Sequence, residues 1–117
     1  MPFSSATTYF HEHDLDLNSY LQPHPLSTYF FRMEGNALEH IGIFNDDILT
    51  VDRSLTAANG NLIIVELNGE LIARRFLLPN GKPTLSTDNP QLPPYHLSSD
   101  DTFAVWGVVT SVIRKLL

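Results

Sequence analysis

The chain has 117 residues, enough for one domain with a single core. Hydrophobic residues make up 43%, which argues for a folded protein, and no apolar run approaches the ~20 residues a membrane span needs. Net charge is −6 with seven Lys+Arg, so the chain lacks the basic surface of an autonomous nucleic-acid binder, and the absence of cysteine excludes disulfides, thiolate metal sites and cysteine nucleophiles.

In chain order, residues 1–26 read as an arm: polar, with scattered aromatics, and with no steady period. MPFSSATTYF lacks the basic-then-apolar order of a signal peptide, which together with the missing cysteines fits a cytoplasmic protein. His11-Glu12-His13 has metal-like content but no third ligand nearby, and the simpler reading is a solvated arm. DLDLNSYL (14–21) predicts a turn or two of helix from an aspartate cap, ended by the prolines of QPHPLS.

From Ser27 onward the pattern is β. STYFFRM is an aromatic, strand-like run, MEGNALEH (33–40) is a loop with one short helical turn, and DILTVDR alternates apolar and polar residues. NGNLIIVELNGELIARRFLL predicts two strands joined at Asn68-Gly69, a favoured hairpin pair. NGKP (80–83) is a turn, TLST a short strand, and DNPQLPPYHLSSDD is irregular or an edge. TFAVWGVVTSVIRKLL closes the chain as a long β-branched strand. Its Trp106, Val108, Val109, Val112 and Ile113 are expected to be mostly core, with an edge that pairs with a second copy.

Asp46-Asp47 and Asp100-Asp101 each precede a strand and read as turn-forming or capping residues. Glu70 reads as solvent-facing, and His24 and His96, beside prolines, as loop residues. No P-loop, GxSxG or dinucleotide fingerprint occurs.

The phrases FFRMEGNAL, NDDILTVDRSLTAANGNLIIVELNGELIARRF and LSSDDTFAVWGVVTSVIRKL, in that order, resemble UmuD and the C-terminal domain of LexA-type repressors. These form the serine/lysine self-cleaving peptidase family, and the resemblance covers about residues 15–116. It implies a mainly-β, β-clip-like domain over 27–117 behind the arm. In that family a Gly-Asp/Asn-Ser-Met motif presents a nucleophilic serine, and a lysine on a later strand activates it. Here the motif reads Gly35-Asn36-Ala37-Leu38, and the lysine's place falls on Arg74. Alanine has no hydroxyl, and a guanidinium stays protonated with no lone pair to accept a proton. No functional catalytic residue is therefore expected.

Ala37 alone would also suit an engineered serine knockout, whereas a second change at Arg74 favours natural loss. No small-residue–Gly bond of the kind the family cleaves precedes DLDLNSYL, which suggests a chain resembling the processed form.

The resemblance implies a homodimer that serves a UmuC-type, Y-family DNA polymerase in error-prone SOS synthesis, with the RecA filament and an active UmuD relative as further partners. No cofactor, no direct nucleic-acid binding and no membrane contact are expected. Two other readings stay open: an inactivated self-cleaving peptidase, and a decoy that heterodimerises with an active relative. A LexA-like repressor is not expected, since no helix-turn-helix is present.

Overall fold

The computed structural model describes residues 7–9, 11 and 14–117. It is a mainly-β fold. Seven antiparallel strands form one sheet in the order β1-β2-β7-β3-β4-β5-β6. The strands are β1 (Thr28–Arg32), β2 (Ile48–Asp52), β3 (Leu62–Leu67), β4 (Glu70–Leu77), β5 (Thr84–Ser86), β6 (Tyr95–His96) and β7 (Phe103–Ile113).

The β3–β4 hairpin turns at Asn68 and Gly69, with φ of 51° and 86°. Both central residues thus occupy the left-handed region that the tightest hairpin turn demands. Leu67 pairs with Glu70, and the register runs on to Leu62 opposite Arg75. Alternation along β3 sends Leu62 and Ile64 to one face of the sheet and Ile63 and Val65 to the other. Each face has its own core. Met33, Leu38, Ile43, Leu49, Val51, Ile64 and Ala73 form the first, and Ile63, Val65, Phe76, Leu85 and Val108 the second.

β7 joins the two halves. Phe103–Val108 pairs with β3, and Val108–Ile113 pairs with β2 on the other side. Register shifts at Ile64/Val65 and at Thr50/Val51 mark irregularities that let one strand serve both neighbours. Gly107 is required at this crossing, because a Cβ there would lie 2.6 Å from Val51 Cγ1.

The expected arm carries a short helix, α1 (Leu17–Leu21), whose first amides are met by the Asp16 carboxylate, and none of its residues is buried. Leu26 follows at 97% exposure. Glu12 and His13 lie outside the described residues. His11, which is described, stacks edge-on against Tyr9 at 4.9 Å. The turn at Glu39–Ile41 and the edge strand within the proline-rich 88–101 segment stand where the sequence put them.

Candidate functional site

β1 delivers the chain into the motif loop, and that loop is held from below by residues 42–47. Met33 N donates to Asp47 O and Asp46 N to Met33 O, both at 2.8 Å. Gly35 N donates to Asn45 Oδ1 at 2.8 Å, and its φ of 85° is one an L side chain rarely adopts. Leu38 is buried at 1% exposure and anchors the loop in the first core. Asn36 is exposed, with its carbonyl accepting from Glu39 N. Ala37, between them, is half-buried and packs on the same core.

Ala37 and Arg74 border one open cleft of about 560 Å³, floored by Leu49 and Ile64 and flanked by Phe31–Glu34 on one side and Glu70–Arg74 on the other. Arg74 stands opposite Ile63 in the β3–β4 register, and its head turns to the strand edge, where Nη1 donates to Ala73 O at 2.7 Å. Burial pushes the guanidinium below its ordinary value. It remains a cation and a pure donor. With a methyl at position 37 and a guanidinium at 74, the cleft holds neither an oxygen nucleophile nor a base at these two places.

Among the described residues no three His, Cys, Asp or Glu side chains gather as a metal site. No described helix is long and apolar enough to cross a membrane.

The five β7 residues singled out in the sequence separate. β7 is interior to the sheet, third in its order, and not a sheet edge along its length. Val108 is in the second core at 5% exposure. Trp106 is occupied within the chain: Tyr29 and Phe31 meet it edge-on at 5.1 and 4.8 Å, and Arg53 lies 4.1 Å over its ring. Val109 packs on the first core, Ile113 is half-buried, and Val112 is 39% exposed. Beyond Val108, however, β3 no longer pairs with β7, so residues 109–113 keep one open side among the described strands.

Two clusters carry more than their sequence context suggested. Asp47 is a buried acceptor as well as a turn residue. Arg114 grips both its oxygens at 2.7 and 2.6 Å, and Phe44 N donates to it at 2.8 Å. These bonds, the Arg114 fork above all, hold its carboxyl at about 2.

His24 reaches the equally buried Asp52, Nδ1 to Oδ2 at 2.6 Å, while Ser54 donates to Asp52 Oδ1 from Oγ at 2.6 Å and from N at 2.8 Å. Ser54 and then His24 lower the Asp52 pKa. A serine, a histidine and an aspartate meet here, yet they do not make a hydrolytic triad. The serine proton is committed to the carboxylate, and the histidine faces both partners with the same nitrogen. The cluster instead ties residue 24 to the end of β2, 28 residues away in sequence. Nothing local in the sequence announces either pairing.

The mainly-β, antiparallel fold is the one the sequence resemblance implies, and comparison with known proteins gives the same family. A profile of the Peptidase S24-like family matches residues 3–110, nearly the whole chain, and the protein belongs to that family. Protein MucA of Salmonella typhimurium is 36% identical over 109 residues, covering 92% of this chain and 74% of MucA. Protein ImpA of Shigella flexneri is 35% identical over 115 residues, 97% of this chain and 77% of ImpA. The LexA repressor of Pseudomonas chlororaphis is 30% identical over 93 residues, 79% of this chain and 46% of that protein.

Proposed function

We propose that the protein is a catalytically inactive, UmuD-like accessory subunit of an error-prone, UmuC-type DNA polymerase in the SOS response, working as a homodimer. One observation carries this reading. The two places where the resemblance puts a serine and a lysine are Ala37 and Arg74, and both lie on the same cleft. A scaffold that keeps the fold but not the chemistry is suited to serving a partner rather than to cutting. The extent of the match to MucA and ImpA supports a UmuD-like role over that of a repressor. The net charge of −6 supports a division of labour in which the polymerase supplies the contacts to DNA. The open side of residues 109–113 offers the dimer a place to form.

The experiment is a tagged purification from DNA-damaged cells, followed by reconstituted lesion bypass with and without the protein. Recovery of a Y-family polymerase whose bypass depends on the protein is expected. Capture of a full-length UmuD relative alone, with no polymerase and no effect on bypass, would overturn the subunit reading in favour of a decoy.

A further inference from the structure

Along Glu70–Arg74 the outer side of β4 has no strand beside it among the described residues, because β5 pairs only with Arg75–Leu77. In an antiparallel strand, successive residues direct their N–H and C=O groups alternately to the two sides. Phe76 directs both towards the β3 side: its N–H donates to Asn61 O and its carbonyl accepts from Gly60 N, each at 2.7 Å. Ile72 and Arg74 share that parity. The backbone groups of Leu71 and Ala73 therefore face the open side, along the wall of the cleft. Leu71, 50% exposed, adds an apolar foothold. By itself this is a template on which an extended peptide would add as a further strand.

The Arg74 head lies across that template. Its Nη1 donates to Ala73 O at 2.7 Å, a bond from a cation to one of the two carbonyls an added strand would use. We infer that Arg74 is an edge cap, which closes the β4 side of the cleft to extended peptides by occupying the Ala73 carbonyl and the space beside it. This rests on the reading of the cleft as a disused peptidase site, and it gives the residue in the lysine's place a present role. An incoming strand must displace a charge-assisted bond before it gains its own. Excluding strands also protects an edge that would otherwise recruit other chains. The cleft is then closed chemically at residue 37 and physically at residue 74.

The test uses the whole chain and a short, end-blocked fluorescent peptide with a central Ala-Gly flanked by alternating Val and Thr. Binding is read by anisotropy, and backbone amide exchange by NMR. Arg74→Ala, and Arg74→Met which keeps the aliphatic stem, are expected to bind about tenfold tighter than wild type, the scale of one charge-assisted bond. Lys82→Ala, which removes one exposed positive charge elsewhere, is expected to bind as wild type does. In the bound Arg74 variants the amides of Leu71 and Ala73 should exchange more slowly while that of Ile72 is unchanged, since only the first two face the open side. Equal affinity of wild type and both Arg74 variants overturns the inference, as does protection at other amides. The peptide assay contains no polymerase, so its failure leaves the subunit reading standing, and loss of that reading leaves the assay interpretable.

Discussion

Arg114 closes a two-point fork on Asp47, Nε to Oδ1 at 2.7 Å and Nη2 to Oδ2 at 2.6 Å, across 67 residues of sequence. The same Nη2 donates to Gly42 O, and the guanidinium sits 4.7 Å over the Phe44 ring. Asp47 O in turn accepts from Met33 N at the entry to the motif loop. The end of the chain thus braces the loop that carries Ala37, through a carboxylate only 2% exposed.

A pH dependence follows. Asp47 and Asp101 are held at about 2, below the ordinary 3.8, the first chiefly by Arg114 and the second by Ser98 N, Asn68 and Tyr95. A carboxyl whose folded value is depressed stabilises the protein above its ordinary range, and that contribution fades as pH falls from about 4 towards 2. Urea midpoints are expected to be flat near neutrality and to drop across that window. Arg114→Met should lower the midpoint at neutral pH and make the acid drop shallower. An acid slope unchanged by Arg114→Met would show that the fork does not set it.

Gly107→Ala should be costly although only one methyl is added. The new carbon would meet Val51 Cγ1 at 2.6 Å, and Val51, on β2, is fully buried. Overpacking of this kind costs about 1–3 kcal/mol. Thermal melts would register it, and Val51→Ala in the same chain should recover part of the loss by making room.

Some of this was legible in the sequence and some was not, for physical reasons. Asn68-Gly69 identified its hairpin because the turn's dihedral demand is local. An aspartate cap for a short helix within 14–21 was readable in the same way, and the structure gives that place to Asp16. The position of β7 was not: a β-branched C-terminal run looks alike at an edge and in the middle, and only pairing with strands far away in sequence decides. Asp46 and Asp47 looked like one turn. Asp46 is indeed a turn residue, with φ of 74°, but Asp47 gains its partner from 67 residues further along the chain. The meeting of Ala37 and Arg74 on one cleft came from family resemblance, since nothing in either local segment points to the other.

Dimerisation can be tested residue by residue on β7. Val112 is exposed and within the stretch that keeps an open side, so Val112→Lys should shift the protein towards monomer in light scattering while leaving the fold intact. Val109 is half-buried and packs on the first core, so Val109→Lys should lower thermal stability by losing that apolar contact and setting a charge against it. A Val112→Lys variant that stays dimeric would place the interface elsewhere.

The protein alone is expected not to retard single-stranded or duplex DNA in gel shifts at physiological salt. Seven basic residues face thirteen acidic ones. Several of the basic groups are already engaged: Arg114 on Asp47, Arg75 on Asp88, Arg53 against Trp106 and Arg74 on Ala73 O. Micromolar binding that weakens steeply with salt would contradict a division of labour with a polymerase.

Restoring the chemistry is the most direct test of the cleft. The wild-type chain is expected to stay intact under alkaline incubation and with activated RecA filaments, because an alanine methyl cannot attack a carbonyl. Ala37→Ser alone should also be inert: its hydroxyl would need a base, and Arg74 has no lone pair to take the proton. Arg74→Lys alone supplies a base with no nucleophile. Only the double variant has both parts, and the burial that lowers the Arg74 pKa would act on a lysine there in the direction catalysis needs, favouring the neutral amine. Joined to an N-terminal segment carrying a small-residue–Gly bond, the double variant is expected to self-cleave with a rate that rises with pH as the amine loses its proton, while each single variant stays whole. Two parts that act as a unit give this all-or-none pattern and not a sum of halves. Cleavage by Ala37→Ser alone would mean that another group serves as base. An inert double variant with an intact fold would mean that positions 37 and 74 do not face each other closely enough to react.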